Sequence, residues 1–510
     1  MMTPLTPRQE KSVLFTTAIV SGMGVADMMA VNTALPVIQR QLGMEAASAL
    51  WVAEVYMLFV ASLMMMGGAL GDRFGRRRVL RYGIVAFAAT SMLCALSPSS
   101  GMLIFARAAQ GVAAALAMPS SLALLNACFP PARRGQAVGS WAAVSSLMIP
   151  LGPLVGGAAV DLLSWHWIFL INLPLCAIAY VLLRGVPKPP YDPPLGAALD
   201  VPGVVAVTTG LGALVFGLLE GSRRGFGDEL VIASLVAAAV LLPLTLLIEA
   251  KSPHPMLPLW MFRRRVFMMI NLQTFLFFAG FQGVMFILPF FLIQVSGYSA
   301  LQAGAVGLPI AAAIALMSRP AGRFMDFFSP RPLLASAPFV VTAGIYLLAQ
   351  VPVESDFIRH VLPAILFLAL GLGLYVTPVT AVAMNAAGEG RSGMASGVNN
   401  TVARIAGLIS IALTGLVLTS VFSRQLLGGI PSLGLDAAQT AAVARRVQHI
   451  GTLIPPEGLN DAQTQAFVNL VHQAFAGGFH TAMLFAAVFV FLAGLIGLLM
   501  LLNIAPVPDE

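Results

Sequence analysis

Long apolar runs recur along the whole chain, and they constrain its fold more than any other feature of the sequence. We place fourteen runs of about 20 residues, the length an α-helix needs to cross a hydrocarbon core of about 30 Å. Only 10% of the residues are charged, against about 25% in a soluble domain. The sequence therefore predicts an all-α polytopic membrane protein. The predicted spans are 12–36, 50–70, 80–98, 102–127, 138–163, 167–186, 201–220, 229–249, 267–294, 300–325, 331–351, 358–385, 394–423 and 478–504.

Basic residues are unevenly distributed between the two sides of the predicted membrane. If both termini lie in the cytoplasm, 19 of the 28 Lys and Arg residues fall on cytoplasmic segments. Cytoplasmic loops retain positive charge during insertion, so this distribution predicts cytoplasmic N and C termini. The net charge of +7 is thus a topology signal. Because the basic residues are split among separate short loops, they do not indicate a nucleic-acid partner.

Two polar connectors divide the predicted spans into three groups. A Pro-rich connector at 187–196 follows the sixth span, and a second connector at 250–265 follows the eighth. We also predict a helical hairpin outside the membrane at about 424–477, because two segments there have helical periodicity. The predicted domains are an N-terminal six-helix bundle at 1–186, a linker with two additional transmembrane helices at 187–265, and a C-terminal six-helix bundle at 266–510.

A short internal repeat indicates that the two six-helix groups are related. Gly68 and Asp72 follow the second span, and Gly322 and Asp326 occupy the matching place after the tenth. Gly and Asp are four residues apart in both copies. Internal repeats of this kind are typical of secondary transporters, in which the substrate site lies between the halves near the membrane midplane.

The chain lacks the motifs that ATP-driven pumps and hydrolytic enzymes use. None of its three Lys residues lies in a GxxxxGK[ST] phosphate-binding loop, and neither HExxH nor GxSxG occurs. Its three Cys residues form no CxxC pair. We therefore expect no enzymatic activity, no metal and no cofactor, and we expect a proton gradient to supply the energy.

Three charged residues of the first bundle lie away from the ends of its predicted spans. Asp27 is about 15 residues into the first span, or about 22 Å from the inner surface, and Glu54 and Arg107 also fall in the outer half. An ionised carboxylate is costly at that depth, so we expect Asp27 to face a cavity and to alternate between binding a proton and binding a cation. We expect Arg107 to compete with the proton for Asp27 in one conformation. The alternative for Asp27 is a structural role, with a hydrogen bond to a neighbour such as Asn32.

Glu54 leaves two alternatives open. It is either a second carboxylate for the substrate or a wetted residue at the end of its helix. Arg404 likewise either binds an anionic group or satisfies carbonyl groups in the middle of the thirteenth span.

Several stretches of the chain, in order, resemble motifs of the major facilitator superfamily. Within it, the chain resembles the fourteen-span drug:proton antiporters of the EmrB/QacA type, although that family more commonly has a small polar residue at the position of Glu54. The stretches are DMMAVNTALP at 27–36, GALGDRFGRRR at 68–78, RAAQGVAAA at 107–115, PLGPLVGG at 150–157, SWHWIFLINLP at 164–174 and GVNNTVARIAG at 397–407.

The resemblance implies a major facilitator fold of two six-helix bundles plus two inserted helices. It implies a multi-pass protein of the bacterial inner membrane that exports lipophilic, cationic drugs or toxic compounds in exchange for protons, by alternating access. The residues that we expect to take part in proton coupling, from their charge and depth, are Asp27, Arg107 and Glu54. Those that the resemblance assigns to a cytoplasmic conformational latch are Gly68, Asp72, Arg73, Gly75, Arg76 and Arg77; those of the antiporter motif are Pro150, Gly152, Pro153, Gly156 and Gly157. Candidates for the substrate cavity are Asn32, Glu54, Gln110, Gln282, Asn399 and Arg404.

The expected partners are small lipophilic substrates, protons and membrane lipids, with a periplasmic adaptor protein as a further candidate. We expect a monomer and no nucleic acid. One alternative within transport is an exporter of an endogenous metabolite, lipid or siderophore, in which Arg404 reads an acidic group. The alternative from a different class is a membrane receptor or scaffold that transports nothing and binds a partner through its hairpin.

Overall fold

The protein is described by a computed structural model that covers residues 5–129, 131–187, 201–252, 259–327, 329–386, 392–447, 453–456 and 458–502. All the long regular elements of these ranges are helices. The α-helices are α1 (Pro7–Gln41), α2 (Ala46–Phe74), α3 (Arg76–Ala95), α4 (Ser100–Cys128), α5 (Pro131–Leu162), α6 (His166–Leu170), α7 (Asn172–Arg184), α8 (Val201–Arg224), α9 (Glu229–Lys251), α10 (Arg265–Gln294), α11 (Ala300–Ala305), α12 (Gly307–Phe327), α13 (Arg331–Leu348), α14 (Leu362–Ala386), α15 (Ser392–Gly429), α16 (Ala437–Arg446) and α17 (Asp461–Leu502).

Twelve helices in the described part of the chain are long and apolar enough to cross a membrane. The predicted spans at 138–163 and 300–325 are not among them. The first lies within α5 and the second covers α11 and most of α12, where the described apolar helices are the shorter segments Leu151–Leu162 and Ala300–Ile314. The prediction of a multi-pass, all-helical membrane protein is therefore confirmed. The count of fourteen spans and the side of the termini stay predictions.

The chain forms two compact units. The first contains α1 to α7, most of α8, α9 and α11, and the second contains the end of α8, α10 and α12 to α17. The first unit comprises Met1–Gly217, Phe226–Leu257 and Ser299–Gly307; the second comprises Leu218–Gly225, Pro258–Tyr298 and Leu308–Glu510.

Local sequence signals set the ends of the helices in the first unit. α1 begins after Thr6, whose hydroxyl accepts from the amide of Gln9 while the Gln9 side chain accepts from the amide of Thr6. This reciprocal capping satisfies two amides that a helix start leaves without partners. α2 ends at Phe74 and is followed by Gly75, whose φ of 93° is a conformation that glycine adopts without strain. The chain reverses there directly into α3.

Helix pairing in the first unit brings four helices to one polar core. α1 packs against α5, α2 against α4, and α7 against both α1 and α3. α4 contacts α1, α2 and α3. Polar side chains from α1, α3, α4 and α7 therefore meet inside this unit.

The second unit is built around α10 and α17. α10 packs against α15 and α17, and α13 packs against α14 and α17. The side-chain amide of Gln273 on α10 donates to the carbonyls of Leu334 (2.7 Å) and Ala493 (3.1 Å), which joins three helices. The rings of Phe277 and Tyr375 stack with their centroids 3.9 Å apart.

In the segment predicted as a helical hairpin, the second helix is not a separate element. Its first helix is α16, but its second is the beginning of α17, which runs without a break into the last predicted span. The glycines at 477 and 478 do not end the helix. A Cβ atom at Gly478 would lie 2.9 Å from the carbonyl oxygen of Leu418, so this glycine allows α17 to approach α15 closely.

Candidate proton and substrate site

A buried ion pair lies at the centre of the first unit. The carboxylate of Asp27 on α1 accepts from the guanidinium of Arg107 on α4, with 2.6 Å between Oδ2 and Nη1. Both side chains are wholly inaccessible to solvent. The sequence places these two charges at a similar depth in different helices, and the structure brings them into direct contact.

Three polar side chains complete the surroundings of the Asp27 carboxylate. Its Oδ1 atom accepts from the amides of Gln110 (3.1 Å) and Asn172 (2.6 Å). The hydroxyl of Ser91 accepts from the same two amides, at 2.9 and 3.3 Å. The Gln110 carbonyl in turn accepts from Nη1 of Arg107 at 2.6 Å. Because both carboxylate oxygens have donors and one donor is charged, this network stabilises a negative charge on Asp27.

Arg107 is held by α2 as well as by Asp27. Its Nε atom donates to the carbonyl of Val52 at 3.1 Å, and its guanidinium carbon lies 4.2 Å from the centre of the Tyr56 ring. The Tyr56 hydroxyl donates to the carbonyl of Gly24 at 3.0 Å, which ties α2 to α1. The Nη2 atom of Arg107 is buried and has no hydrogen-bond partner in the part of the chain that the structure describes. Arg107 thus keeps an unused donor in a position that water does not reach.

Glycines of the antiporter motif set the position of α1 beside this network. Cβ atoms at Gly152 and Gly156 would lie 2.5 and 2.6 Å from the carbonyl oxygens of Ala26 and Ala30. The face of α1 that packs against α5 therefore includes residues on both sides of Asp27. A third glycine, Gly157, gives the same close approach to the backbone of α11. Pro153 has its backbone against Gly304 of α11, and the side chain of Pro150 lies outside the described residues.

Glu54 lies in the first unit but outside the network. Its side chain is wholly buried, and neither carboxylate oxygen has a hydrogen-bond partner among the described residues. It is therefore not a wetted residue at a helix end in this conformation. The other alternative that the sequence offered, a second carboxylate for the substrate, stays open.

The predicted latch residues surround the junction of α2 and α3. Arg76 donates to the carbonyl of Ala123 on α4 (3.1 Å), and Arg77 donates to the last carbonyls of α7, at Leu183 and Arg184 (3.2 Å each). Positive charge at a helix C-terminus interacts favourably with its exposed carbonyls. These two arginines therefore fix the ends of neighbouring helices within the unit.

The other latch residues have less defined surroundings. The guanidinium of Arg73 lies 5.4 Å from the ring of its neighbour Phe74. The close approach of α2 to α4 occurs at Gly67, where a Cβ atom would lie 3.1 Å from Cα of Leu116. At Gly68 a Cβ atom would meet only an ordinary contact at 3.9 Å. The side chains of Asp72 and of its counterpart in the internal repeat, Asp326, lie outside the described residues, as does Gly322 beyond its backbone.

The residues predicted to line the substrate cavity are divided between the two units. Asn32 is buried on α1, and the described residues offer no hydrogen-bond partner to its side-chain oxygen. In the second unit, Asn399 on α15 donates to Asn271 (3.2 Å) and Thr274 (2.8 Å) of α10. The remaining candidates there are Gln282 and Arg404, both partly buried. Only Gln110 of the set joins the network around Asp27.

Sequence reasoning missed three members of the network: Ser91, Tyr56 and Asn172. Asn172 is the Asn of the stretch SWHWIFLINLP, so the family motif contained a usable signal. Ser91 and Tyr56 carried none, because one Ser or Tyr in an apolar helix is ordinary. Their roles come from the pairing of α3 and α2 with α4.

Comparison with known proteins identifies the family. The family model described as Major Facilitator Superfamily matches residues 17–411, which is more than half of the chain. The chain belongs to the Major Facilitator Superfamily. Several similar relatives in this superfamily are named for resistance to antibiotics or to several drugs, as the motif resemblance predicts.

Two curated relatives of this transporter match most of its length. The puromycin resistance protein of Streptomyces alboniger is 33% identical, over 82% of this chain and 85% of the relative. The multidrug resistance protein Stp of Mycobacterium tuberculosis is 30% identical, over 94% of this chain and 91% of the relative.

A solved structure supports the fold independently. A bacterial homologue of the human lysosomal transporter Spinster, in an inward-facing and unoccupied conformation, is similar with a TM-score of 0.67 and 15% identity. The match covers 99% of this chain and 100% of the other. At that identity the similarity concerns the fold alone, and it agrees with membership of the superfamily.

Proposed function

We propose that this transporter exports lipophilic, cationic compounds in exchange for protons, by alternating access. The observation that carries the proposal is the buried ion pair between Asp27 and Arg107, because intramembrane ionisable residues mark substrate and proton pathways. The names of its relatives support export. One, from Streptomyces glaucescens, is called a tetracenomycin C resistance and export protein and is 27% identical over 93% of this chain.

The network gives a physical route from proton binding to conformational change. A proton that binds to Asp27 removes the negative charge that faces Arg107. The guanidinium then loses its counter-ion inside a region that water does not reach, and a buried charge without a partner costs several kcal/mol. Conformations in which Arg107 finds another partner therefore become more populated. Release of the proton on the other side restores the pair.

The proton gradient supplies enough energy for useful export. A proton entering through 100 mV releases about 2.3 kcal/mol, and one pH unit adds about 1.4 kcal/mol. One-for-one exchange with a neutral compound therefore sustains a gradient of about a few hundred-fold. Exchange with a monovalent cation moves no net charge, so the pH gradient alone drives it, at about tenfold for each pH unit.

The remaining features of the proposal follow from the sequence. We place the protein in the bacterial inner membrane with fourteen spans and cytoplasmic termini, on the basis of its apolar runs and the distribution of Lys and Arg. It acts without a cofactor and converts no substrate chemically. Asp72 and its neighbouring arginines form the cytoplasmic latch. We propose a monomer that is able to engage a periplasmic adaptor protein.

Transport by purified protein in liposomes tests the proposal. The probe is tetraphenylphosphonium, taken up against its gradient when an inside-acid pH gradient is imposed. We expect wild type to concentrate the probe and Asp27→Asn to lose this uphill transport. Glu229→Gln removes an acid that is exposed at the start of α9, and we expect it to transport normally. Uphill transport at the full rate by Asp27→Asn would show that this carboxylate does not couple protons to export.

A further inference from the structure

The second unit carries a basic patch where α10 begins. The patch consists of Arg263, Arg264 and Arg265, which are consecutive and all exposed. Arg264 donates to the carbonyl of Ala386, the last residue of α14, at 3.3 Å. The side chains of Arg263 and Arg265 form no hydrogen bond or ion pair with any other residue that the structure describes. Two positive charges of the basic patch are therefore available to a partner outside the described chain.

An exposed aromatic side chain lies beside these charges. The segment Leu259–Arg263 is a short 3₁₀-helix that leads into α10. The fully buried Met261 anchors it to the unit, and Phe262 packs edge-to-face on Phe267 of α10, with 5.2 Å between the ring centroids. Trp260 of the same short helix remains 40% exposed. Tryptophan is enriched at the boundary between hydrocarbon and headgroups, so this segment has the composition of an interfacial anchor.

The position of the basic patch along α10 places it at the level of the lipid headgroups. α10 is a candidate membrane span of 30 residues, and Arg265 is its first. Val266 and Met268, at the beginning of this span, are exposed apolar side chains, as expected where a helix contacts hydrocarbon. Long basic side chains at the end of a span extend towards the headgroups. The basic patch therefore adjoins an exposed apolar surface of the same helix.

Positive charge dominates this end of the second unit. The bond to Ala386 shows that α14 ends here, and α13, which precedes α14 and packs against it, begins here with Arg331. Near the ends of these three helices, the side chains that the structure describes include no acid. Retention of positive charge on one side of the membrane explains the side on which the arginines lie, but it does not require three in succession on one exposed surface. A counter-ion must come from the surroundings.

We propose that the basic patch and Trp260 form a binding site for an anionic phospholipid of the adjoining leaflet. Guanidinium groups bind phosphate oxygens through parallel pairs of hydrogen bonds, and basic residues next to a span attract anionic headgroups. The acyl chains lie against the exposed apolar side chains of Val266 and Met268, which a free phosphate or a nucleic acid would leave unused. This inference goes beyond the proposed function, because it depends on neither cargo nor protons.

Quenching of Trp260 fluorescence by brominated lipids tests the site. Purified protein in neutral detergent micelles is titrated with phosphatidylglycerol or phosphatidylcholine that carry the same brominated chains. Trp260→Phe identifies the part of the signal that comes from Trp260. We expect phosphatidylglycerol to quench Trp260 at a lower concentration than phosphatidylcholine does. In the double variant Arg263→Gln/Arg265→Gln, the concentration of phosphatidylglycerol for half-quenching should rise about thirtyfold, or about fivefold for each arginine removed.

A matched control removes two exposed arginines elsewhere. Arg78→Gln/Arg81→Gln lowers the charge of the protein by the same amount at the beginning of α3, in the first unit. We expect it to leave the quenching of Trp260 unchanged. Equal quenching by the two lipids in wild type, or an unchanged phosphatidylglycerol titration in the double variant of α10, overturns the proposal. An equal loss in the control shows that the lipid responds to total charge instead of the basic patch, which also overturns it.

Inorganic phosphate separates a lipid site from a site for any phosphate group. At constant ionic strength, we expect added phosphate to leave brominated phosphatidylglycerol bound, because phosphate lacks acyl chains. Displacement of the lipid by phosphate refutes the assignment to a phospholipid. The four substituted arginines are exposed, so the variants should fold, and the reactivity of the three buried cysteines checks this. If a variant fails to fold, the two lipids and phosphate still test the proposal on wild type alone.

Discussion

Removing one charge of the buried ion pair should destabilise the protein more than removing both. Asp27→Asn preserves the shape of the side chain but leaves the guanidinium of Arg107 buried without a counter-ion. Arg107→Gln leaves the carboxylate with only the two amide donors. In each single variant a charge remains where water does not reach it.

The magnitude follows from the burial of the pair. Breaking a buried pair by removal of one partner costs about 3–5 kcal/mol, whereas replacing both partners by neutral groups is often close to neutral. We therefore expect each single variant to lose about 3–5 kcal/mol of unfolding free energy. The double variant should lose less than either. The interaction energy between the two sites should then reach about 3 kcal/mol or more, which is high for a side-chain pair.

The three cysteines supply a convenient probe of unfolding. Cys94, Cys128 and Cys176 are all free and buried, so a thiol-reactive fluorophore reports their exposure. Titration of mixed micelles with a denaturing detergent then gives the free energy of unfolding for wild type, both single variants and the double variant. A matched control is Arg78→Gln, which removes an exposed arginine and should change stability by less than about 0.5 kcal/mol.

Additive costs would refute the reasoning. If the double variant loses the sum of the two single losses, the two groups do not interact and the ion pair does not hold α1 to α4. A loss below about 1 kcal/mol in both single variants would show that water reaches the pair and replaces the missing partner.

Three further perturbations test the surroundings of the pair. Asn172→Ala removes the shorter of the two amide bonds to the buried carboxylate and should cost about 1.5–3 kcal/mol in the same unfolding assay; a loss below about 0.5 kcal/mol would contradict its assignment. Gly156→Val places atoms within 2.6 Å of a carbonyl of α1 and should cost at least about 1–3 kcal/mol, whereas Gly212→Ala, with its nearest contact at 3.4 Å, should be tolerated. Asp161→Ala removes the carboxylate that accepts from the first two amides of α11, at 3.2 and 2.7 Å. Hydrogen exchange of these two amides, measured by mass spectrometry, should accelerate up to about tenfold. Unchanged exchange would show that the bonds do not persist.

The sequence identified those residues of the site whose chemistry is unusual in an apolar helix, whatever their neighbours are. A charge inside an apolar run is costly wherever the helix packs, so Asp27 and Arg107 were identifiable without a structure. Gln110 could be named as a candidate as well, and it lies in the stretch RAAQGVAAA that resembles a family motif. Ser91 and Tyr56 were not, because their importance comes entirely from which helix lies beside them. The continuity of α17 through its two glycines was also not visible in the sequence, because it is the packing against α15 that gives Gly478 its role.

The sequence by itself determined that the chain is a multi-pass helical membrane protein, because in lipid an apolar run must satisfy its backbone hydrogen bonds within itself. It also determined the family, through motifs that are local in the chain. Only the tertiary structure decided which polar groups meet. Residues 80 and 145 positions away along the chain both bind the Asp27 carboxylate, whereas Glu54, with the same chemistry, is buried without a donor. Helix packing alone sets that difference, since the charge state of a buried acid depends on the donors that neighbouring helices bring to it.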